Sequence, residues 1–308
     1  MALLVPLGWI AAVLAGGAAL GWLFRRLAMT AAHGTRAARA VRSMPLTAAF
    51  GLAVILIYAL VGLFAPLIAP FSEREVVGAQ YLPWSSEHWL GTDHLGRDMF
   101  SRMVYGARNT VGIALATTAL AFGIGTVLGL IAAAVGGWVD QVLSRIVDAF
   151  MAIPALIFAM LLLTLLGPSI PNMILVIAVI DATRVFRLAR AVAMDIVVMD
   201  YVEAARLRGE GLARIIAREI LPNAMAPLVA EFGLRFCFVF LSISALSFLG
   251  LGIQPPTADW GSMVRDTATL ITFGDITPLL PAGAIALLTV AVNFVVDWQL
   301  HRASGLKD

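Results

Sequence analysis

The sequence predicts an all-α polytopic membrane protein. Of its 308 residues, 61% are hydrophobic and only 13% charged, where a soluble domain carries about a quarter charged residues. The mean hydropathy is +0.93. Apolar runs long enough to span a hydrocarbon core recur along the chain, with arginines gathered in the gaps between them. In lipid a helix satisfies its own backbone hydrogen bonds, so such runs read as spanning helices. The net charge of +2 says less than its placement. Arg25, Arg26, Arg36, Arg39 and Arg42 precede one run, and Arg184, Arg187, Arg190, Arg206, Arg208, Arg214 and Arg218 surround a later polar island. Both clusters mark cytoplasmic faces. The single Cys237 excludes an intramolecular disulfide and reads as a small buried hydrophobe.

Residues 3 to 24 form the first apolar run, with no basic residue before it and Arg25-Arg26 directly after. That order predicts an uncleaved anchor with its N-terminus outside, an interfacial helix being the alternative. Residues 25 to 45 read as a basic cytoplasmic linker ending at Pro45. Leu46 to Ala69 then crosses outward and closes at Pro66 and Pro70. The polar stretch after it is too long for a simple connection. Asp93, His94 and Asp98 in that stretch are metal-ligand types, but their close spacing better suits capping and salt bridges with Arg97 and Arg102.

Asn109 to Val135 crosses inward, with Gly112, Gly125 and Gly129 available for close helix packing. Gly136-Gly137-Trp138 turns the chain, Ser144 to Leu166 crosses outward with a kink at Pro154, and Gly167-Pro168 with Pro171 makes an outer turn. Asn172 to Arg190 returns inward and feeds the island. Past the island, Asn223 to Gly250 crosses outward; Gly250, Gly252, Pro255 and Pro256 break that helix, and Asp259 to Leu270 predicts a short helix at the outer surface. Pro278 to Trp298 makes the last inward crossing and leaves a short cytoplasmic tail.

The island runs from Met199 to Pro222. Tyr201 to Arg208 are good helix formers, and Gly209 and Gly211 permit a sharp turn. Leu212, Ile215, Ile216 and Ile220 recur at helical spacing until Leu221-Pro222 stops the run. A helix, a tight turn and a second amphipathic helix make a compact knob suited to a groove on another protein. Glu219 falls within the apolar stripe of the second helix.

Glu203-Ala204-Ala205, then Gly209, then Leu221-Pro222 resemble the EAA loop of bacterial ABC importer permeases, the cytoplasmic helix that seats in the ATPase subunit. Two further segments, HWLGTDHLGRDMFSRMVYGAR from His88 and SALSFLGLGIQPPTADWGSM near Gly250, are similar to segments of the C-type permeases of dipeptide, oligopeptide and nickel importers. The resemblance covers about residues 46 to 300. It implies a type I ABC importer transmembrane fold of six spans, to which the N-terminal run adds one. The implied organisation is an apolar segment with a basic linker (1–45), a first span with an extracytoplasmic segment (46–108), a permease core (109–300) holding the loop at 199–222, and a tail (301–308).

In that family Glu203, Ala204, Ala205, Gly209, Leu221 and Pro222 would couple to the ATPase, small Ala204 and Ala205 letting the helix sit deep and Gly209 supplying the turn. The implied partners are a sister permease in a heterodimer, two cytoplasmic ATPases, an external solute-binding protein and the lipid bilayer, with no nucleic acid. The implied location is the bacterial cytoplasmic (inner) membrane, crossed several times.

No GxxxxGK[ST] phosphate loop and no catalytic triad or zincin pattern occurs in the chain. It is therefore expected to be no enzyme and to carry no cofactor, with ATP and Mg bound in the partner ATPase. A rigid link from the spans to the island is expected from direct helix continuation between Arg190 and Tyr201. The competing class is a secondary carrier or channel driven by an ion gradient, which discontinuous helices and intramembrane charges would suit and the Glu-Ala-Ala loop would not. Within the family a nickel chelate is the alternative solute to a peptide.

The candidate translocation residues are Asp181 and Arg184 in one span and Glu231 and Arg235 in another, spaced i,i+3 and i,i+4 for pairing on one helix face. Such charges face protein or a water-filled cavity rather than lipid.

Overall fold

A computed structural model of the chain describes residues 4–31 and 43–303. Its long elements are helices: α1 (Leu4–Ala31), α2 (Leu46–Leu63), α3 (Met99–Val135), α4 (Gly137–Met151), α5 (Ala155–Leu166), α6 (Ile170–Val197), α7 (Asp200–Leu207), α8 (Leu221–Phe248), α9 (Trp260–Thr267) and α10 (Leu279–Ala303). Among the described residues four stretches have the length and composition to cross a membrane: Leu46–Leu63, Met99–Val135, Leu212–Phe248 and Leu279–Arg302. α4 and α5 add a fifth if counted as one bent span. α6 has 28 residues but carries Asp181, Arg184, Arg187 and Arg190.

α1 runs antiparallel to α2. A Cβ added at Gly17 would touch the Phe50 ring at 3.5 Å, and one at Gly21 would lie 2.7 Å from the Leu46 carbonyl oxygen. The helix continues through Arg25-Arg26 to Ala31, so the expected linker is helical at its start. Its Arg36, Arg39 and Arg42 lie outside the described residues, as do residues 304–308 of the tail. α10 is also antiparallel to α2, with the Tyr58 hydroxyl donating to the Ala284 carbonyl at 3.0 Å and Phe50 edge-on to Phe294 at 6.4 Å. A reporter fused to the N-terminus is expected on the external side; a cytoplasmic signal would remove α1 from the crossings.

Two expectations need correction. α3 begins at Met99 rather than Asn109, because the Asp98 carboxylate accepts the Ser101 N–H at 2.8 Å and caps the helix there. At 37 residues α3 is about 55 Å long, far more than the roughly 30 Å of a hydrocarbon core. Its first turns bond to the polar stretch before it, Arg102 to the Glu73 carbonyl and Asn109 to the Glu73 carboxylate. The second is at Pro154, where the expected kink is a full break between helices: α4 and α5 meet at 86°. Pro154 has no N–H and sits extended at ψ 121° in front of α5, so the helix stops there.

α3 and α6 form the most extensive helix pair. Gly125 and Gly129 make this possible: a Cβ on either would lie 2.5 Å from the Ala182 carbonyl oxygen or 2.7 Å from that of Phe186. Gly112, expected to act likewise, faces open space.

The end of the bundle around Glu73 is locked by polar bonds that join three distant segments. Glu73 accepts from the Asn109 amide at 2.9 Å and from the Ala258 N–H at 2.8 Å, and Arg102 donates to the Glu73 carbonyl at 2.9 Å. Trp260 donates its indole N–H to the Met103 carbonyl at 3.0 Å and lies edge-on to Tyr58 and Phe240. Asp93 receives Arg97 at 2.7 Å and Arg102 at 3.2 Å. Burial opposes its charge, but the hydrogen bonds from Arg97 and the Leu95 N–H outweigh burial and hold the carboxyl below the usual range. Asp93 and Asp98 thus serve as a salt bridge and a helix cap.

Candidate functional site

The polar island folds as a knob of two short helical arms. Asp200 and Glu203 occupy the first turn of α7, where the helix dipole favours negative charge. The end of α7 is closed by two bonds, Glu210 N–H to the Ala205 carbonyl at 3.2 Å and Gly209 N–H to the Arg206 carbonyl at 2.9 Å. This pair is a Schellman cap, which needs a left-handed residue at its corner. Gly209 supplies it with φ +78°. A Cβ there would meet nothing within 4 Å, so the demand for glycine is conformational and not spatial.

The second arm does not stop at Leu221-Pro222 as expected. One α-turn (Leu212–Ile215) passes through a π turn (Ile216–Ile220) straight into α8, with Pro222 in the first positions of that helix. The Leu221 N–H reaches back to the Ile216 carbonyl, and the widened turn takes up the missing donor and the bulk of Pro222. The Asn223 side chain donates to the Glu219 carbonyl at 2.6 Å. Glu219 itself is half-buried at the edge of the arm.

The first arm also departs from expectation. α6 ends at Val197 and Met199 is extended (φ −78°, ψ 143°), so no continuous helix links Arg190 to Tyr201. The knob is instead tied to the bundle by packing. Val202, Ala205, Ile215 and Ile220 are buried with Leu130 and Ala134 of α3, Ala189 and Ala193 of α6, and Ala224 and Leu228 of α8. Arg206 donates to the Ala134 carbonyl at 3.2 Å, satisfying an acceptor at the end of α3.

Ala205, expected to face a partner's groove, is 0% exposed inside its own chain and packs within the knob's buried cluster. Ala204 is half-buried, and the outward face carries Glu203, Arg206, Leu207, Arg208, Leu212 and Arg214. Leu207, the last residue of α7, is 83% exposed.

The four charges Asp181, Arg184, Glu231 and Arg235 form one linked ladder. Arg184 donates to Asp181 at 3.0 Å, Arg235 approaches Asp181 at 3.6 Å across the gap between α6 and α8, and Arg235 pairs with Glu231 at 2.7 Å. The Arg235 guanidinium also covers the Phe238 ring at 4.7 Å. Asp181 is buried, whereas the Arg184 side chain is 39% exposed. The two pairs were readable from helical spacing; the bridge between them was not. A second ion pair escaped the sequence altogether: Arg190 and Asp140, far apart in the chain, meet through both guanidinium and carboxylate edges, with one bond at 2.6 Å. It fastens α4 across the end of α6.

Residues 125–303 match the family described as the binding-protein-dependent transport system inner membrane component, and the chain belongs to that family of ABC importer permeases, multi-pass proteins of the bacterial inner membrane. Among its relatives are a dipeptide transport system permease protein of Alkalihalophilus pseudofirmus, 39% identical over 84% of this chain and 83% of the relative. A di/tripeptide transport system permease protein of Pseudomonas aeruginosa is 35% identical over 84% and 85%. A glutathione transport system permease protein of Pectobacterium atrosepticum is 32% identical over 84% of each chain.

Proposed function

We propose that this chain is one permease of a heterodimer that imports small peptides, delivered by an external solute-binding protein and driven by two cytoplasmic ATPases. ATP and Mg are bound in those ATPases and not here. The observation that carries the reading is the knob: a rigid, capped surface with an exposed Leu207 among arginines, continuous through the π turn with α8. Movement of a seated knob would be delivered directly to α8, and by packing to α3 and α6. The peptide solute is favoured by relatives named for dipeptide, di/tripeptide and glutathione transport.

The ladder from Arg184 to Glu231 joins α6 to α8, the helix driven by the knob. In this reading it borders the translocation path, where the half-exposed Arg184 offers a guanidinium to the carboxylate of a zwitterionic peptide. ATP-dependent uptake by the full complex in proteoliposomes is expected for di- and tripeptides and to vanish without the binding protein. Asp181→Asn and Glu231→Gln are expected to lower the uptake rate severalfold while ATPase stimulation persists. Wild-type uptake by both variants would make the ladder purely structural, and uptake driven by an ion gradient without ATP would replace the importer reading.

A further inference from the structure

We propose that two adjoining cavities at the Glu73 end of the bundle hold one molecule of phosphatidylethanolamine, the headgroup in the first and an acyl chain in the second. The first cavity, of 280 Å³, is walled by the rings of Phe71, Trp89 and Phe100 and by Ser86, Glu87 and Asp98. The second, of 260 Å³, is almost wholly apolar and lies among Ile57 and Val61 of α2, Met103, Val104 and Ala107 of α3, and Trp260. Ile68 and Phe100 line both, so the two share a wall.

The first cavity suits a primary ammonium group. Neither the exposed Glu87 carboxylate nor the Ser86 hydroxyl bonds to another described residue. Asp98 brings a second carboxylate to the wall, but it is engaged, accepting from the Ser101 N–H at 2.8 Å and lying 3.1 Å from His88 Nδ1. No arginine or lysine lines this cavity. Trp89 and Phe100 stand 5.0 Å apart, and Phe71 lies 5.6 Å from the ring of buried His88, so the aromatic walls are braced. Ring faces beside a free carboxylate attract a cation. The three N–H donors of an ethanolamine headgroup can reach Glu87 and a ring together, and the Ser86 hydroxyl can donate to the phosphodiester. Phosphatidylglycerol would bring its phosphate against two carboxylates with no cation of its own, and phosphatidylcholine has no N–H for Glu87.

The adjoining groove decides which ammonium compound is held. An open apolar wall on a spanning helix takes a hydrocarbon chain, which a soluble amine lacks. α2 makes its helix pairs with α1, α3 and α10, whereas the charge ladder lies between α6 and α8, so this site is separate from the ladder. α3 starts beside the first cavity and ends at the knob, where Ala134 accepts from Arg206. The lipid is therefore one of the leaflet opposite the knob. The proposal does not depend on which solute is carried.

The test is native mass spectrometry of the full chain, purified in mild detergent with equal amounts of phosphatidylethanolamine, phosphatidylglycerol and phosphatidylcholine. The wild type is expected to retain phosphatidylethanolamine selectively. Glu87→Gln should lower that preference about tenfold, the factor of one charge-assisted hydrogen bond. Trp89→Ala, which removes a ring face, should act in the same direction and carries the test if the glutamine variant fails to fold. Ile57→Trp, which fills the groove from an exposed position, should weaken retention of phosphatidylethanolamine. Glu75→Gln, at an exposed acid of the same stretch outside the cavity, should change nothing. Equal retention of the three lipids by the wild type, or an undiminished preference in both Glu87→Gln and Trp89→Ala, would overturn the proposal. Undiminished retention in Ile57→Trp, or release of the lipid by excess dipeptide, would make the cavity a site for soluble amines and overturn the lipid assignment.

Discussion

Arg235→Leu is expected to destabilise the protein by about 3–5 kcal/mol, the cost of removing one partner from a buried ionic network. Arg235 sits midway along α8 and touches both carboxylates of the ladder, Glu231 at 2.7 Å and Asp181 at 3.6 Å. Without it, among the described residues, Glu231 has no cation and Asp181 keeps only Arg184. Arg184→Leu should cost about 1 kcal/mol or less, because that side chain is half-exposed and Asp181 retains Arg235. Removing both charges of one pair, in Glu231→Gln with Arg235→Gln, should recover much of the loss, since a matched pair of neutral groups leaves no orphaned charge. Thermal unfolding in detergent or nanodiscs orders the three variants. Equal losses for Arg235→Leu and Arg184→Leu would show that the bridge between α6 and α8 carries no stability.

The parts of this arrangement that were legible in the sequence are those governed by short-range periodicity. Asp181 with Arg184 and Glu231 with Arg235 follow from helical spacing, and the Gly209 turn follows from the αL requirement of a helix end. Contacts between segments far apart in the chain were not legible. Nothing near Glu73 announces that its carboxylate holds Asn109 and the backbone of Ala258, and nothing near Arg190 points to Asp140. The two misread prolines had opposite outcomes for a physical reason. Pro154 is itself the extended residue in front of a separate helix, whereas Pro222 is absorbed by a π turn that supplies an i−5 bond at Leu221. Pro227, five residues after Pro222, also lies inside α8.

The largest functional effect is expected at Leu207, where Leu207→Asp should abolish uptake and ATPase stimulation without lowering the thermal stability of the permease. Leu207 is exposed at the corner between the two arms of the knob, at the end of α7, and makes no part of its buried core. If it is the apolar anchor in the ATPase groove, its loss should cost about 2 kcal/mol or more of binding, as at other interface centres, and weaken ATPase affinity about thirtyfold. Ala205→Arg should behave in the reverse way. It is fully buried in the cluster that includes Ala134, Ala189 and Ala193, so a guanidinium there would disrupt the packing of the knob on α3 and α6 and deplete folded protein from the membrane. Gly209→Val lies between them: the left-handed corner costs about 1–2 kcal/mol for a residue bearing a Cβ, which should loosen the cap and weaken docking in part. The readouts are the affinity of the purified ATPase for permease in nanodiscs and the melting temperature of the permease alone. An Ala205→Arg protein that melts like wild type but fails to bind the ATPase, beside a Leu207→Asp protein that binds it normally, would place the docking surface on the Ala204–Ala205 side and reverse the orientation of the knob.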